Sequence, residues 1–584
     1  MALAHTFPGV FIEEVPSGVR AITGVPTAIA AFVGRTRIGP VDTPVIINSF
    51  GDFARAFGGL DAASSVSYAV RDFFLNGGGQ AIVVRLYAAA TAAIGATGGA
   101  AQLKIGGATS FLLRATSPGD WANDITVSVD VIDPTFTLAA LSSPPSPPQA
   151  ADPRLAAVAT QLGLDVPLTV PNARDVYQAN LKSIFNATVT SGGSAETIRN
   201  LSLLDTSTRP VASVLKAGKS ESQFVVWDPL NAALTSTDIT AYLGTAFPTA
   251  PIAVSVLGTP SGALASGDYS TTPQSDGTKH GIVALDGTDI FNILCIPPDQ
   301  RLAGEISWAD TLPSVFNDAL KYCVDRRAML LIDPPVTSAN TPVPAFSLAK
   351  NGIDVLNAFA TVGINGNNAR NAAMYFPRVQ EVDPLNGNRV GTFASCGVVA
   401  GVMAATDASR GVWKAPAGID AGISGTVGLA VNMTDAENGE INPIGINALR
   451  TFPIVGSVLW GARTMRGSDQ VADDYKYVPV RRFALFLEES LFRGLKFAVF
   501  EPNDEPLWSQ IRLNVGAFLN NLFRQGAFQG RTPRDAYFVK CDNETTTQND
   551  INLGVVNVLV GFAPLKPAEF VVIKIQQIAG QVTT

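Results

Sequence analysis

Short β-branched runs set between segments of helical period constrain this chain more than any other feature. Ala30 to Gly34 reads as a short buried strand, and Ser65 to Leu75 as a helix with Tyr68, Phe73 and Phe74 in its apolar set. Asn76-Gly77-Gly78-Gly79 ends that helix, and Ala81 to Leu86 is a run typical of a central strand. Together they make one βαβ-like unit. The alternation resumes between residues 215 and 390, with strands at Gln223 to Trp227, Ile290 to Ile296 and Ala328 to Ile332, the last stopped by Asp333-Pro334-Pro335. An open α/β sheet in a mixed α+β, multi-domain chain is the fold predicted.

The stretch from 91 to about 214 breaks the rhythm. It is rich in Ala, Gly, Ser, Thr and Pro, carries the linker Pro144-Pro145-Ser146-Pro147-Pro148, and alternates at strand period from Ile125 to Val131. It reads as an inserted, mostly β domain. The carboxyl third is denser. Arg481 to Arg493 fits a helix closed by Gly494, Lys496 to Phe500 a strand, and Trp508 to Arg524 a helix with Ile511, Val515, Phe518, Leu519 and Leu522 on one face. Both ends alternate as strands. At the start, Val10 and Ile12 oppose Phe11, Glu13 and Val15, with Pro8, Pro16, Gly18 and Pro26 forbidding a helix; at the end, Glu569 to Ile575 sets Val571, Ile573 and Ile575 against Phe570 and Val572. The expected divisions are an arm at 1–26, core at 27–90, insertion at 91–214, an α/β domain at 215–390, a carboxyl-terminal domain at 391–562 and a second arm at 563–584.

Charge decides between functional classes. Lys and Arg number 41 and Asp and Glu 49 in 584 residues, 15% charged, where about 25% is usual. Such a chain is either a membrane protein or a subunit whose surface is covered by other subunits. The near-apolar run Cys396 to Ala405 is about half the ~20 residues a spanning helix needs. Pro8, Glu13 and Glu14 interrupt the place where a signal peptide would be apolar. Assembly is the expected reading. A net charge of −8 argues against a nucleic-acid coat. Cys295, Cys323, Cys396 and Cys541 have no CxxC spacing and read as four buried thiols in a reducing compartment.

Catalytic chemistry finds little to build from. His5 and His280 are the only histidines, so a zinc site, a Ser-His-Asp triad or a Cys-His dyad is not expected. Gly218-Lys219-Ser220 falls short of a phosphate loop because Ser213 stands where a glycine is required. Asp286-Gly287-Thr288-Asp289 and Ser275-Asp276-Gly277 lack the remaining ligands of a calcium loop and read as turns. Glu488-Glu489 and Asp473-Asp474 are sequence neighbours, which point about 100° apart on a helix and cannot share a substrate. No catalytic residue, metal or cofactor is expected. Asp407 to Gly418, with Arg410, Trp413 and Lys414, is either a well-packed loop or a contact loop, since Trp and Arg are favoured at interface centres.

Several stretches, in order along the chain, resemble the tail sheath proteins of contractile phage tails, R-type pyocins and phage-tail-like injection particles. They are Phe7 to Glu14, Tyr375 to Val379, Thr406 to Gly418, Trp460 to Thr464, Phe500 to Trp508 and Ala563 to Phe570. The resemblance covers residues 1–90 and roughly 280–584, and leaves out 91–214, as for the variable outer insertions of such sheaths. It implies a helical homopolymer around an inner tail tube, assembled extended in the bacterial cytoplasm and contracting to drive the tube through a target envelope. Baseplate and terminator proteins would be further partners, with neither nucleic acid nor membrane bound directly. It also implies arms that add strands to neighbouring subunits, here Val10, Phe11, Ile12 and Glu13 at one end and Phe570, Val571, Val572, Ile573 and Ile575 at the other. The carboxyl-terminal domain would face the tube. Tyr475 to Lys540 holds ten Lys/Arg against six Asp/Glu, which makes Arg481, Arg482, Glu488, Glu489 and Arg493 the candidate tube-facing set; the alternative is that Arg481 and Arg482 solvate a helix end. Another virion or baseplate structural protein, or a large α/β hydrolase, is the rival reading.

Overall fold

The computed structural model describes residues 21–89, 99–106, 110–131, 184–202, 209–228, 231, 250–299, 311, 313–334 and 364–575. The expected amino-terminal arm strand, with Val10, Phe11, Ile12 and Glu13, lies outside the described residues.

Its centre is an eight-stranded sheet assembled from distant parts of the sequence. In chain order the strands are β1 (Ala30–Gly34), β2 (Val45–Ile47), β3 (Ala81–Arg85), β11 (Ile293–Cys295), β12 (Met329–Ile332), β13 (Ala372–Phe376), β17 (Ile446–Phe452) and β18 (Gly456–Leu459). They lie in the order β18-β17-β13-β12-β11-β1-β3-β2. The six inner strands are parallel, and β2 and β18 close the edges antiparallel. Every residue of β1, β3, β12 and β13 is buried, as expected of a parallel sheet covered on both faces. Successive residues point to opposite faces, so Ala31 and Val33 feed one core while Ala30 and Phe32 feed the other.

Helices α1 (Phe50–Phe57), α2 (Ser65–Leu75), α3 (Pro313–Asp325) and α4 (Cys396–Arg410) cover the sheet, α3 on the first face and α2 with α4 on the second. The long apolar run of α4 is explained by its sandwiched position. A Cβ on Gly397 would stand 2.2 Å from the Ala69 carbonyl oxygen, and one on Gly401 2.6 Å from that of Phe73, so only glycine lets α2 approach so closely. Asp333 caps α4 from a distance, accepting from the Ser395 and Cys396 amides at 2.8 and 2.9 Å.

The insertion is a pair of packed antiparallel sheets. One contains β4 (Gln102–Gly106), β5 (Ser110–Ala115) and β9 (Val225–Trp227); the other contains β6 (Thr126–Val131), β7 (Ile184–Ser191), β8 (Ser194–Ser202) and β10 (Ile252–Ala253). Leu103, Phe111, Val127, Phe185, Leu201 and Val225 share one core between them. Its boundary therefore differs from the expected 91–214. Val225–Trp227 and Ile252–Ala253 pair with insertion strands, and the two ends of the excursion meet where Thr259 N donates to Gly99 O at 3.0 Å. Arg85 pins this junction. It is buried and donates to the carbonyls of Thr36, Arg37, Gly39 and Pro118, and burial pulls its pKa down to about 10.

The carboxyl-terminal unit also begins later than expected. Residues 396–459 belong to the central sheet and its helices, or to the small sheet of β14 (Val379–Asp383), β15 (Arg389–Phe393) and β16 (Gly428–Leu429), and to α5 (Asp435–Ile441). A separate core forms from α6 (Val478–Gly494), α7 (Glu505–Arg524) and the two-stranded sheet of β19 (Tyr537–Lys540) and β20 (Leu559–Phe562), with Phe483, Leu487, Trp508, Ile511, Val515 and Phe528 in its centre. The strand expected at Lys496 to Phe500 is a single 3-10 turn, Lys496–Ala498. Ala498 N bonds back to Leu495 O, and this satisfies the helix end locally. All four cysteines are buried.

Candidate inter-subunit linking site

The carboxyl-terminal arm is tied at its root, where Ala563 bonds to Gln529 and Ala536, and once further along, at Glu569. β18 runs into Trp460-Gly461-Ala462-Arg463-Thr464, and Arg463 is fully buried. Its guanidinium grips Glu569 with two parallel bonds, Nε to Oε1 at 2.8 Å and Nη2 to Oε2 at 2.7 Å, the geometry in which Arg and carboxylate bind most strongly. Nη1 reaches the Asn442 carbonyl at 2.9 Å and Asp469 Oδ1 at 3.1 Å. Tyr477 Oη donates to Glu569 Oε2 at 3.1 Å, and Lys476 Nζ lies 3.9 Å away. Burial alone would lower the Arg463 pKa; Glu569 and then Asp469 reverse that and raise it. Burial, then the Glu569 charge, raises the Tyr477 pKa. The arrangement is a clamp built from segments 106 residues apart.

Beyond Glu569 the chain changes character. Phe570, Val571, Val572, Ile573 and Ile575 are 73–93% exposed. They form no strand within this subunit, against the expectation of a terminal strand there. An isolated strand has nothing to pair with, so this apolar alternation stays unpaired and exposed at 570–575. The same domain offers such an edge. β19 and β20 pair with each other in the register Tyr537↔Phe562 to Lys540↔Leu559, and no third strand joins them among the described residues. Phe538 and Leu559 stand exposed on this small sheet.

A groove of about 1040 Å³ runs along the foot of the arm, between Leu565 to Val571, Trp460 to Ala462 and the Trp413 loop. Arg410, Trp413 and Lys414 all line it. Trp413 packs edge-on against Phe483 at 5.8 Å, so the loop is both packed and part of the groove wall.

The candidate tube-facing set is dispersed by the fold. Arg482 is buried in a two-bond grip on Asp407 at 2.7 and 2.9 Å and also donates to the Thr27 carbonyl at 2.9 Å. Glu489 is buried between Arg327 at 3.0 Å and Arg493 at 2.6 Å, and Arg493 reaches Asp289 at 2.6 Å. Arg481 donates to Asn371 at 2.9 Å and meets Glu488 at 3.1 Å, leaving Glu488 exposed. Arg482 and Glu489 therefore cannot present charge to a tube, nor does Arg482 solvate a helix end. α6 is an internal strut that joins the central sheet to the carboxyl-terminal core. The residues that sequence reading missed are Arg463 and Glu569, both inside stretches that carried the resemblance.

Comparison with known proteins agrees with this architecture. Residues 470–578 match the phage tail sheath C-terminal domain. Over 264 residues the chain is 27% identical to the tail sheath protein of Vibrio phage KVP40, a match covering 42% of this chain and 37% of that protein, so it spans little more than a third of the relative's length. The whole fold is similar to that of the PVC sheath of an extracellular contractile injection system in its contracted state (TM-score 0.50, 19% identity, 99% of both chains). It is also similar to the helical sheath of the anti-feeding prophage, contracted (TM-score 0.50, 21% identity, 98% and 100% covered), and to a sheath tail protein of Listeria innocua (TM-score 0.52, 13% identity, 93% and 96% covered). Residues 470–578 thus match the sheath carboxyl-terminal domain and the rest of the chain has the fold of solved sheath proteins, so the chain is similar to tail sheath proteins along its length.

Proposed function

We propose that this chain is the structural subunit of a contractile tail sheath. It polymerises helically around an inner tube in a metastable extended state and contracts to drive the tube through a target envelope. The observation that carries this reading is the arm: an apolar strand-period segment clamped at Glu569 and exposed beyond it, in a domain with an open two-stranded sheet. Strand addition between copies would use both. Each backbone bond gained is worth about 0.5–1.5 kcal/mol net, and each fully covered Val or Ile roughly 1.5–3 kcal/mol. A few of each, less ordering costs, would hold a junction while weaker side contacts change.

The work is done by moving rigid bodies rather than by an active site. The tube, baseplate and terminator proteins are the partners this reading calls for, with assembly in the bacterial cytoplasm and residence in a virion tail or injection particle. Tube contact falls to the carboxyl-terminal domain through groups other than Arg482 and Glu489. The test is electron microscopy of purified protein and of chains lacking 1–15 or 570–584. Wild type should form long hollow tubes and each truncation a folded monomer. Full-length tubes from either truncated chain would overturn the linking role, and discrete closed oligomers of wild type would favour a baseplate component instead.

A further inference from the structure

Among the described residues the two most exposed large apolar side chains are Ile454 and Phe500, and both sit at positive φ, 73° and 67°. A β-branched residue in that region is a genuine outlier. Ile454 is the apex of the β17–β18 hairpin. The strands close at Phe452↔Gly456, and Val455 N donates to Pro453 O at 2.9 Å. A bond two residues back around a centre of positive φ is a γ-turn of the rare, strained kind. Glycine would adopt this conformation without a Cβ clash. The chain instead holds an isoleucine there, with half-exposed Val455 beside it and no charge from Pro453 to Gly456.

Ile454 also has a traceable connection to the arm. The Phe452 ring lies 4.6 Å from Trp460, and Trp460 lines the groove whose other wall includes Phe570 and Val571. Hairpin tip, groove and arm are therefore contiguous, joined through Phe452 and Trp460 along a groove whose wall also carries Arg410, Lys414 and Lys566. Strain retained at a side chain that stands fully exposed among the described residues points to a contact made elsewhere.

We propose that the Ile454 tip is a knob that docks into an apolar recess of a second copy of this chain. This rests on the polymer reading above and extends it, since the arm alone does not account for a strained knob beside it. A knob meeting a different patch on the next copy is a heterologous contact, which generates a helix wherever the repeated rotation does not close into a ring. An uncharged tip requires an apolar receptor, which separates this contact from a charge-based one.

Ile454→Gly in the full chain tests it, because it removes side chain and strain together. The expected result has two parts that oppose each other: the isolated subunit melts higher than wild type, while the protein concentration needed for tubes rises roughly tenfold or more. A variant that melts higher yet assembles at the wild-type concentration would show a strained turn and nothing else, and overturn the knob while leaving the polymer reading intact. Wild type that never assembles would overturn the polymer reading and the knob with it. Ile454→Cys provides an independent readout, since the native thiols are buried. It should react with a maleimide as monomer and be shielded in tubes; equal labelling in both states would also overturn the proposal.

Discussion

Helix α6 and the carboxyl-terminal arm each depend on an arginine gripping a carboxylate with two bonds, and the two grips have different consequences. Arg482 and Asp407 meet deep inside, both side chains about equally buried, and α6 is tied again along its length through Arg481 to Asn371, Glu489 to Arg327 and Arg493 to Asp289. The arm is tied through Glu569 to Arg463, and the next residues stand in water. A segment fastened at many points moves with the body it is fastened to. A segment fastened only near its root, here between Ala563 and Glu569, has a fixed origin and an unfastened remainder, which suits a link between bodies that change position.

The sharpest way to break this contrast is Asp407→Ala. It leaves Arg482 charged and buried, which should cost about 3–5 kcal/mol and lower the denaturant midpoint of the whole subunit. A loss within the range of a surface substitution would mean that α6 is not the strut described. Glu569→Gln comes next. Removing one charge-assisted fork should cost about 1.5–3 kcal/mol, but locally. Hydrogen exchange should rise around 463–469 and 566–569 with the global midpoint unchanged. A global shift as large as that of Asp407→Ala would make the arm root part of the core.

A third region sharpens the comparison because there a single arginine serves two acids. Where α2 meets β14, Arg71 bonds to Asp72 at 3.1 Å and to Glu381, while Asp72 Oδ2 and Glu381 Oε1 are buried without partners. Burial raises both carboxyl pKa values, and the neighbouring Asp72 charge raises Glu381 further, well above 4.5. Folded-state pKa values above the unfolded ones mean stability that is present in full at low pH and lost as pH rises from 4.5 through the raised values. Urea midpoints should therefore fall as pH rises above 4.5, and Glu381→Gln should flatten that slope. An unchanged slope in the variant would remove this pair as its source. The smallest effect belongs to Glu488→Gln on the exposed side of α6, where the Arg481 pair is worth about 0–1 kcal/mol. A larger loss there would mean that the outer face of the strut carries load as well.

Much of the central fold was legible because its signals are local. The run Ala30 to Gly34, the helix Ser65 to Leu75 and the strand Thr126–Val131 all stand where periodicity placed them. Lys496 to Phe500 was misread because a short apolar run states a preference without stating whether a neighbouring strand exists. The insertion boundary was misplaced for the same reason: Val225–Trp227 looks like any buried strand until its pairing with β5 is known.

For the linking site the division falls between side-chain type and side-chain company. The sequence by itself determined that the last described segment alternates apolar residues at strand period, that Trp413 and Trp460 lie in stretches resembling sheath proteins, and that the chain carries too little charge to be wet all over. Tertiary structure alone decided which arginines are surface and which are bolts. A local excess of basic residues made Arg482 look like a contact charge, yet its counter-ion is 75 residues away in α4. Arg463 and Glu569 show no mutual spacing that any window could detect. Periodicity is a property of neighbours along the chain, whereas burial and ion pairing depend on neighbours in space, which only folding brings together.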